Sequence, residues 1–89
     1  MNVIFKGSFR KDAAKISDRS VKRSLMEIIE EVKAASDISK IHHLVKLRKY
    51  KVHYRLEVEG NYRVGIIIRQ NKVWLVRVLH RSKIYKQFP

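Results

Sequence analysis

The chain of 89 residues has no cysteine. Disulfides and thiolate metal sites are therefore excluded, and the composition fits a reducing compartment such as the cytoplasm. Long apolar runs are missing as well. Nothing approaches the roughly 18 residues of a membrane span, and Met1-Asn2-Val3-Ile4-Phe5-Lys6 is too short for the apolar part of a secretory leader. A protein that is neither exported nor membrane-bound is expected. Repeats, low-complexity tracts and linkers are absent, so residues 1–89 read as one domain near the lower size limit for independent folding. No carboxylate or histidine spacing argues for a metal, and no cofactor is expected. Acidic residues are scarce: eight Asp and Glu stand against 21 Lys and Arg, a formal net charge of +13.

That excess is unevenly placed. Residues 1–39 hold eight Lys and Arg against six Asp and Glu, a net of +2; residues 40–89 hold thirteen against two, a net of +11, with all four histidines. A field this polarised attracts polyanions and speeds their arrival. A membrane-surface role would place such charge on an amphipathic helix, whereas here it lies mainly in strand-like sequence. Apolar residues make up 45% of the chain, enough for a modest core.

Asn2–Lys6 reads as a first strand. Ser8 is placed to cap a helix over Phe9–Ile16, with Phe9, Ala13 and Ile16 at helical spacing. Ser17-Asp18 offers a break and a new N-cap, after which Val21, Leu25, Ile28, Ile29 and Val32 trace an amphipathic helix ending near Ala35. Its outer face, with Lys22, Arg23, Glu27, Glu30 and Glu31, reads as solvated. Ser36–His43 is a connection whose Ile38 and Ile41 are expected at the core edge. Strands follow over Tyr50–Val58, Tyr62–Arg69 and Val73–Leu79, with turns at Gly60-Asn61 and Gln70-Asn71. Ser82–Gln87 reads as a short helical turn or an extended tail. The expected architecture is α+β: a helical hairpin on one face of a small, mainly antiparallel sheet.

Alternation along the strands decides which side chains share a face. A three-residue loop at Glu59-Gly60-Asn61 pairs Val58 with Tyr62, Glu57 with Arg63 and Arg55 with Gly65. His53, Arg55, Glu57 and Arg63 then face away from the helices, with a hollow at Gly65 between the cations. A one-residue slip would send Arg63 into the core, unpaired and at high cost. A two-residue turn at Gln70-Asn71 puts Trp74, Val76, Val78 and His80 on the arginine face and Arg77 on the core face; the latter suggests a bulge or a different turn and leaves Arg77 unassigned. Blander readings exist for each feature. Arg55 and Arg63 suit an ordinary exposed sheet face, His80-Arg81 a strand-end cap, His42-His43 exposed positions, and Trp74 either sheet cover or a base-stacking platform.

Lys46-Leu47, Tyr54-Arg55, Gly60-Asn61-Tyr62-Arg63, His80-Arg81, Ile84-Tyr85 and the final Phe88-Pro89 resemble, in order and spacing, the RelE/ParE superfamily of type II toxin–antitoxin toxins, closest to its RelE branch including archaeal members. Phe9 and Lys11-Asp12 before the helical hairpin extend the likeness over essentially the whole chain. The resemblance implies a RelE-like fold of β-α-α-β-β-β with a short C-terminal element. It implies a growth-arresting toxin held by a cognate antitoxin and, for RelE-like members, an endoribonuclease that cuts mRNA in the ribosomal A site through the RNA 2′-hydroxyl. ParE-like members instead inhibit DNA gyrase, and a catalytically weak antitoxin-binding member is a further alternative.

Carried over by position, Arg63 would clamp the scissile phosphate, and Arg55 would help hold it or assist activation of the 2′-hydroxyl. Arg81 would stabilise the leaving 5′-oxygen, and Tyr85 would stack on a base or take part in proton transfer. His80 is the general-acid candidate on its ordinary pKa. Lys46, Arg48, Lys49, Lys51, His53 and Lys83 are candidate contacts to RNA or ribosome. Three positions depart from the pattern: Glu57 where relatives often carry Lys or Arg, Leu79 for a common Gly, and Lys49 for another. Glu57 is a modulator that either orients Arg63 or cancels its charge. The free toxin is expected to be monomeric, because like charges oppose self-association.

Overall fold

A computed structural model describes residues 1–89. The elements run β1 (Asn2–Phe5), α1 (Gly7–Ala14), α2 (Arg19–Ala34), a 3₁₀ turn at Ile38–Lys40, β2 (Leu44–Lys46), β3 (His53–Val58), β4 (Tyr62–Arg69), β5 (Lys72–His80) and α3 (Arg81–Gln87). One five-stranded sheet has the order β1-β5-β4-β3-β2; β1 lies parallel to β5 and every other pair is antiparallel. No helix is long and apolar enough to cross a membrane.

Asp18 caps α2 as its sequence position suggests, accepting from the backbone N–H groups of Ser20 and Val21. The apolar stripe of α2 packs Val21, Leu25 and Val32 into the core with Phe9, Leu56, Val58, Val64, Ile66, Val73, Leu75 and Val78. Helix α1 differs from expectation. It starts at Gly7 with no side-chain cap, and the Ser8 hydroxyl donates instead to the Val76 carbonyl. This places α1 along the part of β5 that β1 leaves unpaired, so that helix side chains satisfy an otherwise open strand edge.

The sheet has one strand more than expected. β2 pairs with β3 through Leu44–Leu56, Val45–Arg55 and Lys46–Tyr54, while Tyr50 lies outside any strand and Lys51 and Val52 form a bend before β3. Of the two connection isoleucines, Ile41 is buried and Ile38 is exposed. The β3–β4 register agrees with the three-residue loop: Val58 pairs with Tyr62, Glu57 with Arg63 and Arg55 with Gly65. Gly60 supplies the left-handed residue at φ 76°. Gln70 and Asn71, both at positive φ, make the two-residue turn into β5.

A bulge at Val76 of β5, opposite the Gly65–Ile66 step of β4, corrects the second half of β5. Trp74 remains on the arginine face, paired with Ile67. Val78 is instead buried in the core opposite Val64, and His80 pairs with Tyr62 on the helix-hairpin side. Arg77 comes opposite Gly65 and turns to the sheet edge. Its guanidinium binds Asp12 of α1 through Nε at 2.7 Å and Nη2 at 3.1 Å, and reaches Gln87 of α3 at 3.3 Å. The second Asp12 oxygen role is structural too, since Oδ2 also accepts the Val78 N–H. The hydrogen bond that Arg77 donates to Asp12 holds its pKa above the ordinary value, partly opposed by burial.

Candidate catalytic face

The sheet face away from α1 and α2 is built of cross-strand rows. One row is Glu57, Arg63 and Leu79; the next is Arg55, Gly65 and Arg77; the next is His53, Ile67, Trp74 and Ile4. Helix α3 folds onto the middle of this face with Ile84 buried. The hollow expected at Gly65 is therefore filled. A Cβ at Gly65 would lie 2.6 Å from Cγ of Phe88, so the missing side chain makes room for the Phe88 ring and not for a ligand.

Arg55 and Tyr85 are brought together, with the guanidinium carbon 4.9 Å from the ring centroid. Tyr85 is 55% exposed, so one side of this stack remains open. Arg63 is more enclosed, its side chain 11% exposed, with Nη1 donating to the Tyr62 carbonyl at 2.9 Å and Nη2 lying 3.5 Å from Glu57 Oε1. The Glu57 contact exceeds the usual 2.7–2.9 Å of a charge-assisted bond. Its carboxylate is 69% exposed, and ion pairs of that kind contribute little.

His80 takes a different place. Its ring meets Tyr62 edge-on at 5.8 Å and 77°, and its Nδ1 accepts the Ser82 N–H at 3.2 Å as the N-cap of α3. The imidazole and the Arg63 guanidinium thus leave β5 and β4 on opposite sides of the sheet. Arg81 opens α3 and is exposed, its N–H held by the Asn61 carbonyl at 2.6 Å. His53 does lie on the arginine face, between the rings of Tyr50 at 5.1 Å and Phe88 at 5.7 Å, with Nδ1 buried and without a partner.

The remaining basic candidates are dispersed. Lys46 pairs with Tyr54 on the helix side, and its ammonium donates to the Tyr50 carbonyl. Arg48, Lys49 and Lys51 are exposed in the β2–β3 turn, where Lys49 holds φ 67°. Lys83 lines a cavity of ≈ 280 Å³ at the β5 edge with Asp12, Lys15, Tyr62, Arg77 and His80. Sequence reasoning missed Arg77 and Phe88 as organisers of α3. One signal was available for their partner: Asp12 is a lone acid in the stripe Phe9, Asp12, Ala13, Ile16, and so marks a buried partner. No group of three or more His, Cys, Asp or Glu is gathered as a metal site.

A family model described as the ParE toxin of the type II toxin–antitoxin system parDE matches residues 3–85. The chain belongs to the RelE/ParE family of type II toxin–antitoxin toxins. Among its relatives, Toxin RelE3 of Methanocaldococcus jannaschii is 33% identical over 90 residues, spanning 100% of both chains. A chain of the RelB–RelE antitoxin–toxin complex from Methanococcus jannaschii superposes with a TM-score of 0.80 at 31% identity, covering 97% of this chain and 99% of that one. The isolated E. coli RelE toxin superposes at 0.65 with 16% identity, over 97% of this chain and 92% of that one, a likeness of fold.

Proposed function

We propose that this toxin is a ribosome-dependent mRNA endonuclease, acting in the cytoplasm and held inactive by a cognate antitoxin. The observation that carries the reading is the gathering of Arg55, Arg63 and Glu57 on one sheet face, with the exposed Tyr85 ring stacked on Arg55. Cleavage through the RNA 2′-hydroxyl needs three services. A base takes the hydroxyl proton, cations hold the phosphate as its charge rises, and a donor meets the leaving 5′-oxygen.

Arginines stay protonated and cannot act as the base. Glu57 is the carboxylate on this face and stands beside the arginine that would grip the phosphate. It takes the 2′-hydroxyl proton as that oxygen bonds to phosphorus. Arg63 exchanges its loose Glu57 contact for a phosphate oxygen, and Arg55 adds a second cation while ordering Tyr85 against a neighbouring base. The P–O5′ bond breaks, leaving a 2′,3′-cyclic phosphate. Arg81 stabilises the departing oxygen, which takes a proton from solvent or from the Tyr85 hydroxyl. His80 serves this scheme as the cap that fixes the first turn of α3, and hence Arg81. Arg48, Lys49, Lys51 and Lys83 supply general attraction to RNA, as does Lys46 from the sheet edge.

These groups are weak catalysts in water, so the ribosome must order the mRNA, and free RNA should be cut poorly. Induced expression followed by primer extension on cellular mRNA tests the reading. Cuts within translated codons that vanish in Arg63→Ala and Arg81→Ala are expected. Arrest with intact mRNA and an activated DNA-damage response would instead mark a gyrase inhibitor. The antitoxin partner is supported by the relative solved as an antitoxin–toxin complex. Copurification with the product of a small adjacent reading frame tests it.

A further inference from the structure

The arginine face continues beyond α3 to a feature that the chemistry above does not use. Trp74, the single tryptophan of the chain, lies half-buried on this face between Ile67 of β4 and Ile4 of β1. The guanidinium of Arg69 lies over its ring at 5.6 Å. Lys72, which pairs with Arg69 in the last row, carries a second exposed cation on the same face. A shallow cavity of ≈ 180 Å³ opens here, lined by Lys6, Ile67, Arg69, Trp74 and Val76, with no carboxylate in its wall. A flat π-system and a guanidinium plane flanked by cations are what a splayed nucleobase and its phosphate require. An acidic protein segment would find the charge but would make no use of the stacked planes.

The spacing relates this platform to the proposed cut site. Ile67 lies four residues along β4 from Arg63, and Trp74 one strand further over, a separation of about 14 Å at ~3.3 Å per residue and ~4.8 Å per strand. A stacked strand rises ~3.4 Å per nucleotide, so that distance sets a minimum of about four nucleotides for a strand that must pass over or around α3. We infer that Arg69 and Trp74 form a stacking site for a base of the same RNA strand that crosses Arg63, at least about four nucleotides from the scissile phosphate. The inference rests on the RNA-cutting reading for its direction, but it concerns binding and needs no cleavage.

The lone tryptophan makes the site directly observable. The intact toxin is titrated, at physiological salt and without ribosomes, with a cleavage-resistant 2′-O-methyl RNA of ten nucleotides, reading Trp74 fluorescence. Saturable quenching is expected. It should be lost with an abasic strand of equal length and charge, and weakened two- to five-fold in affinity by Arg69→Ala, the range of an exposed cation–π contact. Anisotropy of a labelled strand should show Trp74→Leu binding about five- to a hundred-fold more weakly, with Trp74→Phe, which keeps the packing, losing less. Arg63→Ala should weaken the ten-nucleotide strand but not a trinucleotide too short to span both sites.

Equal quenching by abasic and normal strands, or no quenching at all, would overturn the stacking site. Quenching by an acidic peptide in preference to RNA would make this a protein-binding surface and overturn it as well. Base-dependent quenching without mRNA cuts in cells would leave the platform standing and sink the nuclease reading. Cuts in cells without quenching would do the reverse.

Discussion

At the scale of single residues, the two carboxylates Glu57 and Asp12 meet arginines under opposite conditions. Glu57 is exposed and 3.5 Å from Arg63, so removing it should leave stability nearly unchanged. If it is the base, Glu57→Gln should lower the cleavage rate by about 10²–10⁴-fold with the melting temperature preserved, measured by primer extension on purified ribosomes. Arg63→Ala should cost about 10²–10³-fold for loss of its charge on the phosphate. Asp12 is 7% exposed and serves Arg77 twice as well as the Val78 N–H. Asp12→Ala strands these donors, and about 2 kcal/mol of stability should go with it, allowing for an Arg77 side chain that retains some solvent. Thermal unfolding should then shift down by roughly 10 °C for a chain of this length. A double-mutant cycle with Arg77→Ala should recover part of the loss, since both partners are then gone.

At the scale of elements, α3 is held by three unlike contacts: Ile84 buried beneath the helix, the Phe88 ring over Gly65, and Gln87 on Arg77. Gly65→Ala should therefore act on α3 more than on β4. Its methyl must push the Phe88 ring aside at about 1–3 kcal/mol, and faster amide exchange in α3, relieved by Phe88→Leu in the same chain, is the expected result. Helix α2 responds to pH through its cap. Hydrogen bonds from the Ser20 hydroxyl and then from the Val21 and Ser20 N–H groups hold the Asp18 pKa below its ordinary value. The cap accordingly stabilises at neutral pH and is lost as pH falls through that lowered value. Asp18→Ala should melt earlier than the parent at pH 7, and the gap should close in strong acid. These elements also mark what sequence can carry. The Arg55–Glu57–Arg63 face was legible because loop length and alternation fix register locally. The bulge was legible only as a suspicion, from Arg77 falling on the core face; its position was not, because Val73–Leu79 is apolar enough to suit either phase and the deciding partner, Asp12, lies 65 residues away. β2 escaped for a similar reason, as three residues held by edge pairing leave almost no periodic trace. Phe88 over Gly65 is a tail-to-strand contact that spacing does not encode, and it turned an expected hollow into a packed seat.

At the scale of the whole molecule, the charge partition becomes a spatial one. The weakly charged first 39 residues supply β1, α1 and α2, whereas the net +11 of residues 40–89 falls on β2–β5 and α3. The sheet face away from α1 and α2 and its α3 cover thus draw their arginines from the basic half: Arg55, Arg63, Arg69 and Arg81. If these four each hold one phosphate of a single strand, binding should follow a slope of about −2.8 in log affinity against log salt, at ~0.7 per phosphate. Doubling the salt should then weaken binding about seven-fold. Removing one cation that holds a phosphate should reduce the slope by about 0.7, whereas removing a side chain that acts by stacking should lower affinity and leave the slope alone. Arg63→Ala is expected in the first class and Trp74→Phe in the second. Salt titrations of parent and variants against the same cleavage-resistant strand separate the two. A common slope for all of them would mean that the basic half attracts RNA only as a diffuse field, with no cation of the sheet face holding a particular phosphate.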